Sequence, residues 1–179
     1  MAKLVVLVAN QDHYEEMINL DHSITSNYSY RMLTNLDSQS SSFSFQRVKL
    51  PREAHVSYMR DKDSLLKSWK ESSLIYAGKL DDFLVAYVVV DAKNLPGTAR
   101  ISDLVVMPEL RHKGIGRTML AAVEDWASRD DFERVLIEIP MRNYPMTELA
   151  SHCGYEMCGF MEHYFPNEDP ALFYQKRLV

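Results

Sequence analysis

The spacing of apolar residues changes several times along the chain, and each change predicts an element. Residues 1–9 are a short apolar run that passes straight into the polar stretch 10–16, which reads as an opening strand. Met17, Ile18 and Leu20 then suggest a helix over 15–20, residues 38–42 are a polar loop, and 43–50 alternate as a strand that stops at Pro51. Helical spacing of Leu65, Leu66 and Trp69 predicts a helix over 61–71. Strands at 74–79 and 83–90 flank Leu80-Asp81-Asp82 as a hairpin, and Asn94-Leu95-Pro96-Gly97 turns the chain into a third strand at 100–107. Beyond Pro108 the period lengthens: Ile115, Met119, Leu120, Val123 and Trp126 make one stripe of a helix over 114–128. A strand at 134–139, a short helix at 146–153 ended by Gly154, and strands near 155–165 and 171–178 complete the chain.

This order mixes a meander with a crossover. Strand, helix, strand from 100 to 139 implies two parallel neighbours inside an otherwise antiparallel sheet. The fold class is therefore mixed α+β, a central, mostly antiparallel twisted sheet flanked by helices. No repeat or linker interrupts it, so residues 1–179 read as a single domain.

Composition narrows the function by exclusion. The net charge of −5 provides no basic field for a phosphate backbone, which argues against nucleic-acid binding and would suit a cationic partner. Two cysteines, Cys153 and Cys158, make neither a disulfide framework nor a C-x-x-C pair, and a reducing, cytoplasmic setting fits. His152, Cys153, Cys158 and His163 follow no common zinc spacing, so no metal is expected. No apolar run reaches the roughly 18 residues needed to cross a bilayer.

The most informative segment is 111–116. A helix start offers unpaired backbone N–H groups and a partial positive charge, so an anion can be held there by main chain. Gly114 and Gly116 permit close approach, while Arg111, Lys113 and Arg117 add charge. His112 contributes its backbone N–H to the same turn. No third glycine completes G-x-G-x-x-G, and no G-x-x-x-x-G-K-S/T occurs. A solvated loop with helix-capping glycines is the plain alternative.

Residues 103–120, DLVVMPELRHKGIGRTML, resemble the central motif of the GNAT acetyltransferase superfamily. Val106, Pro108, Arg111, Gly114 and Gly116 match its apolar-x-Pro and R-x-x-G-x-G pattern, with Asn143 and Cys153-Gly154-Tyr155 following in the expected order. The resemblance implies a parallel strand pair that splays apart around acetyl-CoA. Val105, Val106 and Met107 would meet the pantetheine arm, the turn of Arg111, His112, Lys113, Gly114, Ile115, Gly116, Arg117 and Thr118 the diphosphate, and Asn143 would lie nearby. A primary amine of a small molecule would attack the thioester directly, helped by a backbone N–H near Val106. A lysine-like amine is only about 0.04% deprotonated at pH 7, so a base or proton-conducting chain is needed. Asp103, interrupting an apolar strand where the family often has Glu or Asp, is the candidate, with a buried structural carboxylate as the alternative. The family's usual acid, a tyrosine, is replaced by Ala150, and Tyr144 and Tyr155 read as packing. This departure motivates a second reading, a non-catalytic acyl-CoA sensor. The segments 153–160 and 171–174 are also similar to streptothricin acetyltransferases, whose acceptors are cationic. The acceptor pocket is expected in residues 21–63, where no motif guides a reading, and a homodimer is compatible with the whole.

Overall fold

Alternation predicts the central meander directly, and the computed structural model contains it. The described residues are 3–57 and 60–178; residues 1 and 2 of the expected opening strand, residues 58 and 59 of the expected acceptor region, and residue 179 lie outside them. Strands β1 (Leu4–Val8), β4 (Leu74–Leu80), β5 (Phe83–Asp91), β6 (Thr98–Val106), β7 (Arg134–Pro140), β9 (Ala171–Arg177) and β8 (Glu156–Met161) lie side by side in that order. Every neighbouring pair is antiparallel except β6 and β7. At the β4–β5 hairpin Asp81 and Asp82 have φ of 47° and 67°, the left-handed pair that matches the twist of adjoining strands.

Side chains alternate between two cores. Val88, Val90, Ile101 and Ile137 face α3 (Ile115–Arg129), whose Met119, Leu120 and Val123 are fully buried. On the opposite face Tyr87, Val89 and Val105 pack with Met17 of α1 (Tyr14–Ile18) and with Leu65 and Trp69 of α2 (Lys62–Glu71). Asp61 caps α2 by accepting from the Ser64 N–H at 2.8 Å. Burial of the Leu65 side chain contributes about 2 kcal/mol by transfer, which anchors α2 over the sheet.

The parallel pairing is short. It runs from Thr98 opposite Arg134 to Ile101 opposite Ile137 and stops, while β6 continues to Val106 and β7 to Pro140. The two strands thus part, leaving a small gap lined by Ser102, Asp103, Glu138, Asn143 and Met146. Asn143 caps α4 (Tyr144–His152), so this helix begins two residues before its expected start.

The largest difference from expectation is the region 24–56. It forms a separate two-stranded sheet, β2 (Ile24–Leu36) and β3 (Ser41–Val56), where only a strand over 43–50 is expected. Pro51 does not end β3, because Ser26 pairs with Ala54 and Tyr28 with Lys49, so residues 50–53 bulge out of the ladder. A proline in a bulge forfeits no ladder hydrogen bond. Aromatic residues on this hairpin dock on the main body: Tyr28 and Tyr30 against Tyr144, and Phe43 and Phe45 against Phe160. The strand expected over 155–165 is shorter, since β8 ends at Met161 and Tyr164 and Phe165 lie in the connection to β9.

Candidate active site

Strand β6 is irregular where β7 leaves it. Val90 pairs with Ile101 but Val89 pairs with Asp103, so Ser102 is an extra residue in a bulge. The bulge turns Asp103 onto the α2 face with Val89 and Val105, and brings the Ser102 hydroxyl within 2.7 Å of Asp103 Oδ2. The Asp103 side chain is fully buried, and Arg60, immediately before the α2 cap, forms an ion pair with Oδ1. A buried carboxylate needs such partners, and both its oxygens already accept a hydrogen bond.

The end of β6 exposes main chain to the gap. The Met107 N–H donates to Val85 O at 2.8 Å, so Met107 and, by alternation, Val105 direct their amides toward β5. Val106 therefore turns its N–H to the opposite side, where β7 has moved away. An N–H aimed into such a gap can stabilise an oxygen on which charge develops. The Val106 carbonyl, on the same edge, accepts from Arg111 Nε at 2.9 Å.

The turn that follows is shaped by two left-handed residues, His112 with φ of 60° and Gly114 with φ of 84°. Gly114 occupies the N-cap of α3 and has no capping side chain, which leaves the first amides of the helix for a ligand. Space next to Gly116 is the tighter constraint: a Cβ there would lie 2.8 Å from Leu149 Cδ2 on α4. Ile115 is buried, so only its backbone is available, whereas His112, Lys113, Arg117 and Thr118 are exposed around the turn. Thr118 Oγ1 donates to Gly114 O at 3.3 Å.

Arg111 is placed differently from the simple expectation of a charge beside a diphosphate. Its guanidinium turns back, donating from Nε to Val106 O and from Nη2 to Ser23 O at 2.8 Å. It links the end of β6 to the loop between α1 and β2. Asn143 likewise uses its side chain as a cap, accepting from the Met146 N–H at 3.2 Å while lining the gap.

Residues invisible to motif reading line a neighbouring cleft. A cleft of about 420 Å³ borders Arg60, Ser102, Arg100, Glu138 and Tyr164. Arg100 joins Asp91 at 2.7 Å and Glu138 at 2.6 Å, and the Tyr164 hydroxyl donates to Glu138 at 2.6 Å. Burial and that bond push the Tyr164 phenol up to about 12. In the loop held by Arg111, His22 Nε2 is 2.8 Å from the Tyr87 hydroxyl, and burial holds the imidazole below its ordinary range. Spacing gives no sign of these contacts, which join residues far apart in the chain. Ala150 is fully buried and brings no hydroxyl to the gap. Among the described residues no group of three or more His, Cys, Asp or Glu side chains could hold a metal ion.

The sequence profile described as the Acetyltransferase (GNAT) family matches residues 36–155. The chain belongs to the GNAT acetyltransferase family. Acetyl-CoA is the co-substrate of this family. The residues present fit it: a helix start with open amides, a glycine held against α4, exposed Lys113 and Arg117, and an unpaired strand edge leading from Val106 into the gap.

Solved structures share this GNAT fold over the whole chain. Nourseothricin acetyltransferase superposes with a TM-score of 0.83 at 18% identity, covering 98% of this chain and 99% of that one. A Bacillus anthracis protein described as a streptothricin acetyltransferase, solved with acetyl coenzyme A, gives 0.75 at 17% identity, covering 98% and 97%. The ribosomal-protein-S18-alanine N-acetyltransferase of Escherichia coli gives 0.69 at 10%, covering 99% and 95%. No curated protein matches the chain in sequence. No helix among the described residues is long and apolar enough to cross a membrane.

Proposed function

We propose that this chain, acting as one domain, is an N-acetyltransferase that moves the acetyl group of acetyl-CoA directly to a primary amine of a small, cationic molecule. The observation that carries the proposal is that β6 and β7 part beyond Ile101, with the buried Asp103 carboxylate among the residues that line the gap. Acetyl-CoA would lie along Val105, Val106 and Met107 with its diphosphate on residues 111–118, near Asn143. The carbonyl oxygen would accept from Val106 N–H, and Asp103 would act as the base that takes one proton from the ammonium, so that the neutral amine can attack. With the amine nitrogen bonded to the acetyl carbon, the C–S bond breaks, CoA leaves as a thiolate, and the proton the nitrogen then gives up to become an amide balances the one the thiolate takes up. A thiol pKa near 8.5 makes that departure feasible without the missing tyrosine.

A small cationic acceptor is supported by the net charge of −5 and by the likeness in fold to proteins named for nourseothricin and streptothricin. The two free cysteines suit the proposed cytoplasmic setting, and nothing basic favours nucleic acid. A homodimer is compatible with this reading. One observation favours a second reading, an acyl-CoA sensor: Ala150 at the family's acid position.

Initial rates of CoA thiol release across a panel of diamines, amino-sugar antibiotics, amino acids and peptide N-termini decide between them. Saturable turnover with cationic small amines is expected. Tight acetyl-CoA binding without turnover of any amine would instead establish the sensor, and preference for peptides would overturn the small-molecule acceptor.

A further inference from the structure

The last residue of β6 has lost the strand beside it. The β6–β7 ladder ends at Ile101 opposite Ile137, and β5 is met at this end by the Met107 N–H, which donates to Val85 O. Val106 therefore presents both its N–H and its carbonyl to the gap side, and a carbonyl there needs a partner from elsewhere in the chain.

Arg111 supplies that partner. The chain leaves β6 through one tight turn at 108–110, in which Leu110 N–H donates to Met107 O at 2.9 Å and Arg111 N–H to Pro108 O at 3.2 Å. The turn returns the Arg111 side chain to its own strand, where Nε donates to Val106 O at 2.9 Å. Nη2 donates to Ser23 O at 2.8 Å, on the residue that precedes β2. The strand end is thus braced against the root of the β2–β3 hairpin, which lies outside its sheet. The guanidinium is half-buried: burial is the largest influence on it and lowers its pKa, while Asp21 and Glu109 raise it. It stays charged at neutral pH. Lys113 and Arg117, by contrast, are exposed on either side of Gly114 and Gly116.

We propose that Arg111 is a positioning residue for acetyl transfer: it fixes the end of β6 through the Val106 carbonyl so that the Val106 N–H meets the thioester oxygen, while Lys113 and Arg117 supply the charge for the diphosphate. This inference rests on the acetyltransferase reading above. Full charge on that oxygen exists only between C–N bond formation and C–S bond breakage, so an amide turned away from it forfeits rate and not ground-state affinity. The diphosphate, held by the first amides of α3 and by exposed charge, does not depend on the two bonds Arg111 makes. Lysine does not reproduce the brace, because one ammonium is not a planar fork that reaches two carbonyls at once.

The test compares wild type with Arg111→Met, Arg111→Lys and a double variant, Lys113→Met with Arg117→Met. Three quantities are measured: kcat with the best amine, acetyl-CoA affinity by calorimetry at low and high salt, and the thioester carbonyl stretch of bound acetyl-CoA by isotope-edited infrared difference spectra. Arg111→Met is expected to lower kcat by about 100-fold and to raise the carbonyl frequency above the wild-type value. Its acetyl-CoA affinity should stay within about threefold of wild type, with the same salt dependence. Arg111→Lys should show the same split at reduced size, about 10-fold in kcat, and carries the comparison if Arg111→Met does not fold. The double variant should instead weaken acetyl-CoA by about 10-fold and flatten the salt dependence, with the carbonyl frequency of bound acetyl-CoA unchanged. Full kcat in Arg111→Lys overturns the inference and leaves the acetyltransferase reading in place. So does an Arg111→Met whose whole loss lies in acetyl-CoA affinity and its salt dependence. Turnover of no amine by the wild type overturns both.

Discussion

The two sides of the gap between β6 and β7 are built by different means. The proposed donor side is made of main chain: an unpaired strand edge at Val106, a left-handed Gly114, and the first amides of α3. The proposed acceptor side is made of side chains gathered from distant segments, with Arg60 and Asp103 from α2's approach and β6, and Glu138 with Arg100 from β7 and β6. Main-chain recognition demands particular backbone shapes, and therefore a fixed local pattern of glycine and proline. Side-chain recognition demands only that the right groups converge, which many sequences can arrange.

The comparison is broken first at Gly116. A leucine there starts with a Cβ 2.8 Å from Leu149 Cδ2, so α3 and α4 must separate and the first turn of α3 moves off the gap. Gly116→Leu is expected to lose acetyl-CoA affinity by about 100-fold, roughly 2.7 kcal/mol. Calorimetry checks this, and an affinity within about twofold of wild type would mean that the diphosphate sits elsewhere.

Asp103→Asn probes the other side. It removes the charge that Arg60 pairs with on β6, in a setting where only 15% of the arginine side chain is exposed. Breaking such a pair costs about 3 kcal/mol, readable as a shifted urea midpoint. Amine kcat/KM should fall by about 100-fold while acetyl-CoA affinity changes little. Equal losses of donor and acceptor binding would show that the two sides are not separable.

The smallest effect is expected at the hairpin. Tyr144 donates its hydroxyl to Glu148 at 2.6 Å and accepts from Arg47 Nη1 at 3.0 Å, joining β3 to α4. Tyr144→Phe removes both bonds but keeps the ring against Tyr28 and Tyr30, so a loss of about 1 kcal/mol is expected, seen as faster amide exchange in β2 and β3. Unchanged exchange there would mean that ring packing alone docks the hairpin.

This contrast also governs what could be read without coordinates. The strands at 74–79 and 83–90, the α3 stripe and the 111–116 turn are legible because each follows from local periodicity or from glycine placement. The family profile covers that core and agrees with the resemblance seen in residues 103–120. The long β2–β3 sheet is not legible: neither of its faces has a regular apolar stripe, since much of the hairpin is solvent-exposed, and its register is broken by the 50–53 bulge. His22 and Arg60 are hidden for a different reason. Each is an ordinary loop residue until contacts across about 40 to 65 positions bring it to β5 or β6. Arg111 is legible as a member of the turn, but the direction of its side chain depends on the position of Ser23, which no local pattern encodes.

Direct transfer between the two sides is tested most closely by single-turnover quench, with enzyme in excess over acetyl-CoA and the best amine from the panel, following both product and protein by mass. The expected result is that acetylated amine appears as acetyl-CoA disappears, with the acetyl group on nitrogen and the polypeptide unmodified throughout. Accumulation of acetylated protein before product, or consumption of acetyl-CoA with no acetylated amine, would contradict it.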